Sequence, residues 1–431
     1  MLPLSIDQLL NSMMGTVGTL VVSNLGSAAI SAVSLVDAIN VLIVQAFYAL
    51  AAGGTVICSQ YLGRKDMKKA EHSAKQLVCI TFVLSLLIMA VCLFWNHQIL
   101  KLIFGEVEPA VMKYARQYFM ISSLSYPFIA LYDDGSSIFR AQENSRLPMQ
   151  VSLCSNLLNL LLNVLFVKFL HLAVIGSALA TLIARGFSMA AVLYKLHNPK
   201  LKIALRGYLA IRPEWKQMKR ILYLGIPSGI ENSMFQFGKL AIQSTVSMMG
   251  TAAIAAQGMT NILENLNGIM AIGIGVGLMT VVGECIGAGR KDEAVYYVKK
   301  MTAVAEVVVI CSCLLIFALV HPITYFGGME PESAKMCIFM ITCITIVKPL
   351  VWTLSFIPAY GFRAAGDVKF TMIVSAVSMW ICRVSFVVFL ARVLHFGPIA
   401  VWIGMFTDWT VRAIIFTVRL KRGKWLEHQV I

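Results

Sequence analysis

The stretch PLSID at residues 3–7 returns as PSGIE at residues 227–231. Farther along the chain, two more pairs keep the same order: GRKD at 63–66 with 289–292, and FRA at 139–141 with 362–364. The offset between partners stays within 223 to 226 residues. Matches that hold their order over such a distance indicate an internal duplication. The sequence therefore predicts two structurally equivalent halves.

The composition places these halves in a membrane. The 431 residues are 58% hydrophobic and only 13% charged, with a mean hydropathy of +0.78. A soluble globular protein carries about 25% charged residues, and disorder requires low hydrophobicity, so both classes are excluded. A spanning helix needs about 20 apolar residues, and twelve apolar runs are long enough. They lie near 2–23, 28–57, 77–95, 114–138, 147–169, 172–194, 221–249, 252–286, 301–320, 335–361, 370–393 and 398–418. The predicted fold class is an all-α polytopic membrane protein with twelve transmembrane helices.

The basic residues predict the orientation of the chain. Connections between the runs fall alternately on two sides, and 25 of the 36 lysines and arginines lie on one side. Basic loops stay in the cytoplasm, so we expect both termini there, in a multi-pass protein of the cell membrane. Membrane orientation thus accounts for the formal charge of +15, and no nucleic-acid partner is expected.

The central basic linker divides the chain into domains. We predict an N-terminal six-helix bundle at 1–195, a cytoplasmic linker at 196–220, a C-terminal six-helix bundle at 221–418 and a cytoplasmic tail at 419–431. With six spans in each, the two halves share one orientation and are related by an axis along the membrane normal. Only two residues precede the first copy of the repeat, whereas about a dozen precede the second. We expect that the given sequence begins late in its first helix, or that this helix is short.

Polar side chains inside the spans are the candidate functional residues. On span seven they follow Pro227, which should kink the helix, at helical spacing on one face: Asn232, Gln236, Lys239 and Gln243. Span eight carries Gln257, Asn261, Glu264 and Asn265, and span two carries Asp37 and Asn40. An Asp, Lys or Arg at a helix centre costs about 2.5–3.5 kcal/mol in the bilayer, so these groups should face a protein interior or a wet cavity. Two interpretations stay open: polar packing with an ion pair from Glu231 or Glu264 to Lys239, and a water-accessible cavity between the halves.

The carboxylates are the candidates for cation coupling. Asp7 and Glu231 form a pseudo-symmetric pair beside the two prolines, and Glu264 and Asp37 complete the set of coupling candidates. Burial can tune a carboxyl group for proton exchange.

Other charged residues in the spans give weaker signals. Asp133 or Asp134 either pairs with Arg140 or has a functional role. Asp408 and Arg412 are four residues apart and should pair structurally. Glu306 is expected at the membrane interface. Lys348 either faces the cavity or extends to a lipid headgroup.

Several strings resemble the multidrug and toxic compound extrusion (MATE) transporters, within the wider multidrug, oligosaccharidyl-lipid and polysaccharide exporter superfamily. They are the two GRKD loops, FRAQENSRLPM at 139–149, FRAAGD at 362–367 and LNLLLN at 158–163. The resemblance implies a V-shaped pair of six-helix bundles around a central cavity, and export by alternating access driven by proton or sodium entry. The cation site of many members is changed here: Gly18 and Asn163 stand where they carry aspartates, while Asn159 and Thr181 are kept.

The resulting functional expectation is a proton- or sodium-coupled antiporter that exports amphipathic, cationic organic compounds or drugs. The alternative is a flippase for a lipid-linked saccharide or another lipid. A receptor without transport does not explain the repeated polar first helices, and no catalytic constellation indicates an enzyme. We expect a monomer whose partners are a small-molecule substrate and membrane lipid, with no cofactor or metal besides the coupling ion.

Overall fold

The computed structural model describes residues 3–6, 27–105, 108–206, 212–326, 328–428 and 430–431. In this part of the chain the regular structure is helical, and residues 3–6 are helical too. The helices of the first half are α1 Ser27–Gly63, α2 Met67–Phe94, α3 Asn96–Phe104, α4 Pro109–Leu124, α5 Tyr126–Ala141, α6 Arg146–Asn163 with a π-helical turn Val164–Phe169, and α7 Ala173–Leu196. The later helices are α8 Trp215–Val246, α9 Thr251–Gly287, α10 Lys291–Phe326, α11 Pro331–Ala364, α12 Val368–Val377 with a π-helical turn Ser378–Ser385, α13 Phe386–Arg392 and α14 Ile399–Arg422.

Nine helical segments within the described residues are long and apolar enough to cross a membrane. Most of the predicted run 2–23 lies outside those residues. The predicted run 114–138 is two short helices, α4 and α5, which meet at Ser125 because Pro127 lacks the N–H needed to continue the first helix. Helix α8 carries too many polar side chains to qualify by hydropathy, although its 32 residues are long enough. The all-α polytopic fold class is confirmed.

The outward faces of the long helices are apolar. Helix α2 exposes Phe82, Leu87 and Phe94, and α10 exposes Val307 and Leu314. Water would disfavour such continuous apolar surfaces, whereas lipid accepts them. These helices therefore have the surfaces that a bilayer requires.

The described chain forms two compact units. The N-terminal unit contains the described residues from 27 to 229, and the C-terminal unit contains residues 230–431 together with 3–6. The boundary falls inside α8, two residues after Pro227, and the helix continues through this proline. The predicted limits of the six-helix bundles stay a prediction.

Close helix packing holds the repeated first segments in place. In the C-terminal unit, the Ser5 hydroxyl donates to the Met270 carbonyl at 3.0 Å, and a Cβ added to Gly273 would lie 2.6 Å from Ser5 Oγ. In the N-terminal unit, a Cβ added to Gly225 would lie 2.9 Å from Leu50 Cα. The segment at the start of the first half thus packs against α9, and the segment at the start of the second half packs against α1. In both places the backbones are so close that only glycine fits.

This packing makes Gly273 sensitive to a single methyl group. We expect Gly273→Ala to destabilise the protein by about 1–3 kcal/mol, because the backbone of residue 5 must move. Gly258 lies on the same helix with nothing within 4 Å of an added Cβ, so Gly258→Ala should leave stability unchanged or raise it. Unfolding of both variants in detergent micelles measures the difference, and equal stability would contradict the packing argument.

Polar contacts fix two interhelical segments of the N-terminal unit. Asp66 of the first GRKD loop accepts a hydrogen bond from the Lys69 backbone N–H at 3.1 Å, which caps α2. The Lys69 hydrogen bonds hold the pKa of the exposed Asp66 below its usual value. In the linker, Gln142 donates to the Ile203 carbonyl at 3.2 Å and accepts from its N–H at 2.9 Å. The described part of the linker is therefore bound to the N-terminal unit at this point.

Candidate functional site

The C-terminal unit contains an ion pair between α9 and α11. Lys348 is completely buried, and its ammonium donates to Glu264 Oε1 at 2.7 Å and to the Glu264 carbonyl at 3.1 Å. The same ammonium lies 4.9 Å from the centroid of the Trp352 ring, a cation–π contact. The Glu264 side chain keeps 14% of its surface exposed. The pair thus joins a buried cation to a carboxylate that reaches the surface of its unit.

The observed ion pairs resolve two questions that the sequence left open: where the Lys348 side chain lies, and whether Lys239 pairs with Glu231 or Glu264. Lys348 does not extend to a headgroup, because its ammonium is enclosed and bonded to Glu264. The suggested pairing of Glu231 or Glu264 with Lys239 is wrong, since the ion-pair partners of these carboxylates are Arg363 and Lys348. Lys239 is exposed on α8.

Glu231 forms the second ion pair of this unit. Its Oε1 accepts from Arg363 Nη2 at 2.6 Å. Glu231 is buried, and its Oε2 has no hydrogen-bond partner among the described residues. Arg363 also packs over the Tyr360 ring at 5.4 Å. The carboxylate beside the repeated proline is therefore neutralised by the arginine of the repeated FRA string.

A third buried network centres on Asp408. The predicted pair with Arg412 is confirmed at 3.0 Å, and Arg383 from the π-helical turn adds a second cation at 3.4 Å from Asp408 Oδ2. Ser378 donates to Asp408 Oδ1 at 2.6 Å and accepts from Arg412 Nε at 2.8 Å. Sequence reasoning missed Arg383 because residues 25 apart on different helices leave no spacing signal.

Asp37 belongs to a polar cluster in the N-terminal unit. Its Oδ1 accepts from Asn40 Nδ2 and from the Tyr118 hydroxyl, both at 3.2 Å, and Asn40 Oδ1 accepts from Tyr126 at 2.8 Å. The sequence paired Asp37 with Asn40 on one turn. The two tyrosines from α4 and α5 were missed because nothing in their local sequence separates them from ordinary core aromatics.

The described residues that the resemblance assigns to a cation site in the N-terminal half lie together. Asn159 donates to the Thr181 hydroxyl at 3.2 Å, and Asn163 donates to Asn159 Oδ1 at 2.9 Å. The three side chains are uncharged, and the buried Asn163 Oδ1 has no hydrogen-bond partner among the described residues. Gly18 and the coupling candidate Asp7 lie outside the described residues.

The remaining cavity candidates lie on α8 and α9. Gln257 accepts from the Trp402 indole at 3.1 Å and donates to Asn261 at 3.2 Å, so both side chains are held by packing within the unit. On α8, exposure rises along the predicted polar face. Asn232 and Gln236 are half-buried, whereas Lys239 and Gln243 are exposed.

The interfacial position of Glu306 stays a prediction. Helix α10 begins at Lys291, earlier than the predicted run, so Glu306 lies near the middle of the helix, beside Thr353 of α11. Within the described residues, no group of three His, Cys, Asp or Glu side chains is placed to hold a metal ion.

Duplicated halves, apolar outer faces and ion pairs inside spanning helices together define a polytopic transporter. The family model described as MatE matches residues 3–165 and 227–389, the two halves of the repeat. The chain belongs to this family.

Relatives extend over the whole length of the chain. It is 24% identical to the "Probable multidrug resistance protein NorM" of Thermotoga maritima, with 100% of this chain and 92% of the relative covered. It is 27% identical to "Multidrug and toxin extrusion protein 1" of Oryctolagus cuniculus, with 98% and 74% covered. The structure described as "Crystal structure of MATE in the straight conformation" has the same fold, with a TM-score of 0.90, 17% identity and coverage of 98% and 95%. Both relatives are named for multidrug resistance or for multidrug and toxin extrusion.

Proposed function

We propose that this protein is a cation-coupled antiporter that exports amphipathic, cationic organic compounds by alternating access in the cell membrane, with both termini in the cytoplasm. The observation that carries the proposal is the Glu264–Lys348 pair, in which the carboxylate reaches the surface of the unit while its partner cation is fully buried. Membership of the MatE family supports export as the task.

The pair offers a physical route from ion binding to a change of structure. A proton or cation that neutralises Glu264 removes the countercharge of Lys348, and an uncompensated buried ammonium is costly. The unit must then rearrange, or the ion must leave. Two structural states with different affinities for the coupling ion are what alternating access requires.

The ion pair between Glu231 and Arg363, which belong to the repeated strings PSGIE and FRA, is a second coupling element in this proposal. Glu231 lies four residues after the repeated proline, Pro227, and one of its carboxylate oxygens has no hydrogen-bond donor among the described residues. Proton binding at that oxygen would loosen the contact between α8 and α11. The assembled Asn159–Asn163–Thr181 cluster is neutral, so we assign coupling to the carboxylates elsewhere.

The proposal is tested by ethidium export from proteoliposomes under an imposed proton gradient and, separately, an imposed sodium gradient. We expect export with one gradient and loss of export when that gradient is collapsed. Glu231→Gln should reduce gradient-driven export, while the matched change Glu330→Gln, at an exposed carboxylate just before α11, should not. Export that ignores both gradients would refute cation coupling.

A further inference from the structure

One carboxyl group in the described spans differs from those already discussed. Glu231, Glu264 and Asp408 each contact a lysine or arginine. Asp134 on α5 is fully buried, makes no ion pair among the described residues, and has no hydrogen-bond partner at either carboxyl oxygen. The pairing of Asp134 with Arg140 suggested by the sequence is therefore not found.

Among the described residues, no lysine or arginine pairs with Asp134 or acts electrostatically on it. The residues outside the description, 1–2, 7–26, 106–107, 207–211, 327 and 429, contain no lysine, arginine or histidine. On the neighbouring helix α7, Arg185 donates to Ser125 at 2.7 Å and acts electrostatically on Asp37. The three lysines of α2 that precede Thr81 lie in its first turns, two of them bonded to acidic residues there.

The immediate surroundings of Asp134 are neutral side chains and a second acid. Helix α1 contributes Cys58 and α2 contributes Thr81, both fully buried, and Asp133 is adjacent on α5. The Thr81 hydroxyl itself has no hydrogen-bond partner among the described residues. An ionised carboxylate in such a place would cost several kcal/mol, whereas a neutral carboxylic acid can donate a proton to a nearby hydroxyl.

A hydroxyl pair lies one turn farther along α5. Ser137 and Thr55 share a hydrogen bond of 2.5 Å in which either oxygen could be the donor, and Ser137 also donates to the Ala51 carbonyl at 2.6 Å. Ser137 follows Asp134 by three residues and so lies on the same side of the helix. Hydroxyls that can reverse their hydrogen bonds are suitable for passing a proton.

We propose that Asp134 is a proton-binding site of the N-terminal unit, a neutral acid at rest that releases and regains its proton during the transport cycle, with Thr81 and the Ser137–Thr55 pair as relay groups. This proposal rests on the proposed antiport function. A metal cation fits the site less well, because hard cations prefer a cage of oxygen ligands and the side chains around Asp134 include a thiol. The N-terminal unit would then contain a titrating carboxyl although positions 18 and 163 lack one.

Infrared difference spectroscopy of the purified protein tests proton binding without any transport. We expect the carbonyl stretching band of a protonated carboxylic acid near neutral pH, lost in Asp134→Asn and kept in the matched change Asp66→Asn, whose carboxylate is exposed and ion-paired. If Asp134→Asn does not fold, Thr81→Val should instead shift the frequency of the band. A spectrum that is unchanged in Asp134→Asn, or unshifted in Thr81→Val, overturns the assignment.

Transport measurements then separate this proposal from the proposed function. In proteoliposomes, Asp134→Asn should keep gradient-independent exchange of ethidium and lose acceleration by a proton gradient. If the unmodified protein also ignores the gradient while the infrared band depends on Asp134, the antiport proposal fails and the proton site stands. If Asp134→Asn retains full acceleration, the coupling role of Asp134 is refuted.

Discussion

Asp408→Asn is expected to lower the free energy of unfolding by about 3–5 kcal/mol, because it leaves Arg383 and Arg412 buried together without a carboxylate. Both guanidinium groups also pack against the Phe235 ring, at 5.7 and 4.6 Å from its centroid, so neither can move to the surface without disrupting the helix that carries Glu231. Denaturation in detergent micelles measures the loss.

A second variant tests whether the loss of stability comes from uncompensated buried charge or from disturbed side-chain packing. Replacing the network with apolar residues of similar volume, as Arg383→Met, Asp408→Leu and Arg412→Met together, should recover most of the stability, since such replacements are often neutral or stabilising. A single Asp408→Asn variant as stable as the unmodified protein would show that the two arginines do not depend on this carboxylate.

Glu264→Gln is expected to reduce gradient-driven export to the leak rate of empty vesicles. The amide cannot exchange a proton, and it leaves the Lys348 ammonium without its countercharge. The second effect also destabilises the fold, so the single variant does not separate coupling from folding.

A double variant separates them. Glu264→Gln with Lys348→Met removes both charges, keeps similar volumes and should restore the unfolding midpoint while export stays at the leak rate. Recovery of gradient-driven export in the double variant would show that the pair is structural, and coupling would then have to be assigned to Glu231, Asp37 or Asp134.

The sequence predicted the fold well because its signals are long and repeated. The twelve apolar runs, and the offset of 223 to 226 residues between repeated strings, can be identified even when individual boundaries are wrong by several residues. The exceptions have local physical causes: Pro127 divides one predicted span into α4 and α5, and α10 begins ten residues before its apolar run.

The sequence predicted the candidate site less completely. It identified carboxylates and amides on helix faces, and it predicted the Asp408–Arg412 pair because four residues make one helical turn. It could not predict partners from other helices, such as Arg363 for Glu231 or Tyr118 for Asp37. Nor could it single out Asp134, whose distinction is the absence of a partner in the folded unit.

The most direct test of cation-coupled antiport is simultaneous measurement of substrate and ion flux in the same proteoliposomes, with a pH-sensitive or sodium-sensitive dye trapped inside. We expect ethidium added outside to enter while protons or sodium ions leave in a fixed ratio, and both fluxes to fall together in Glu264→Gln. Ethidium movement with no flux of either cation would contradict antiport and leave a family member that transports without ion coupling.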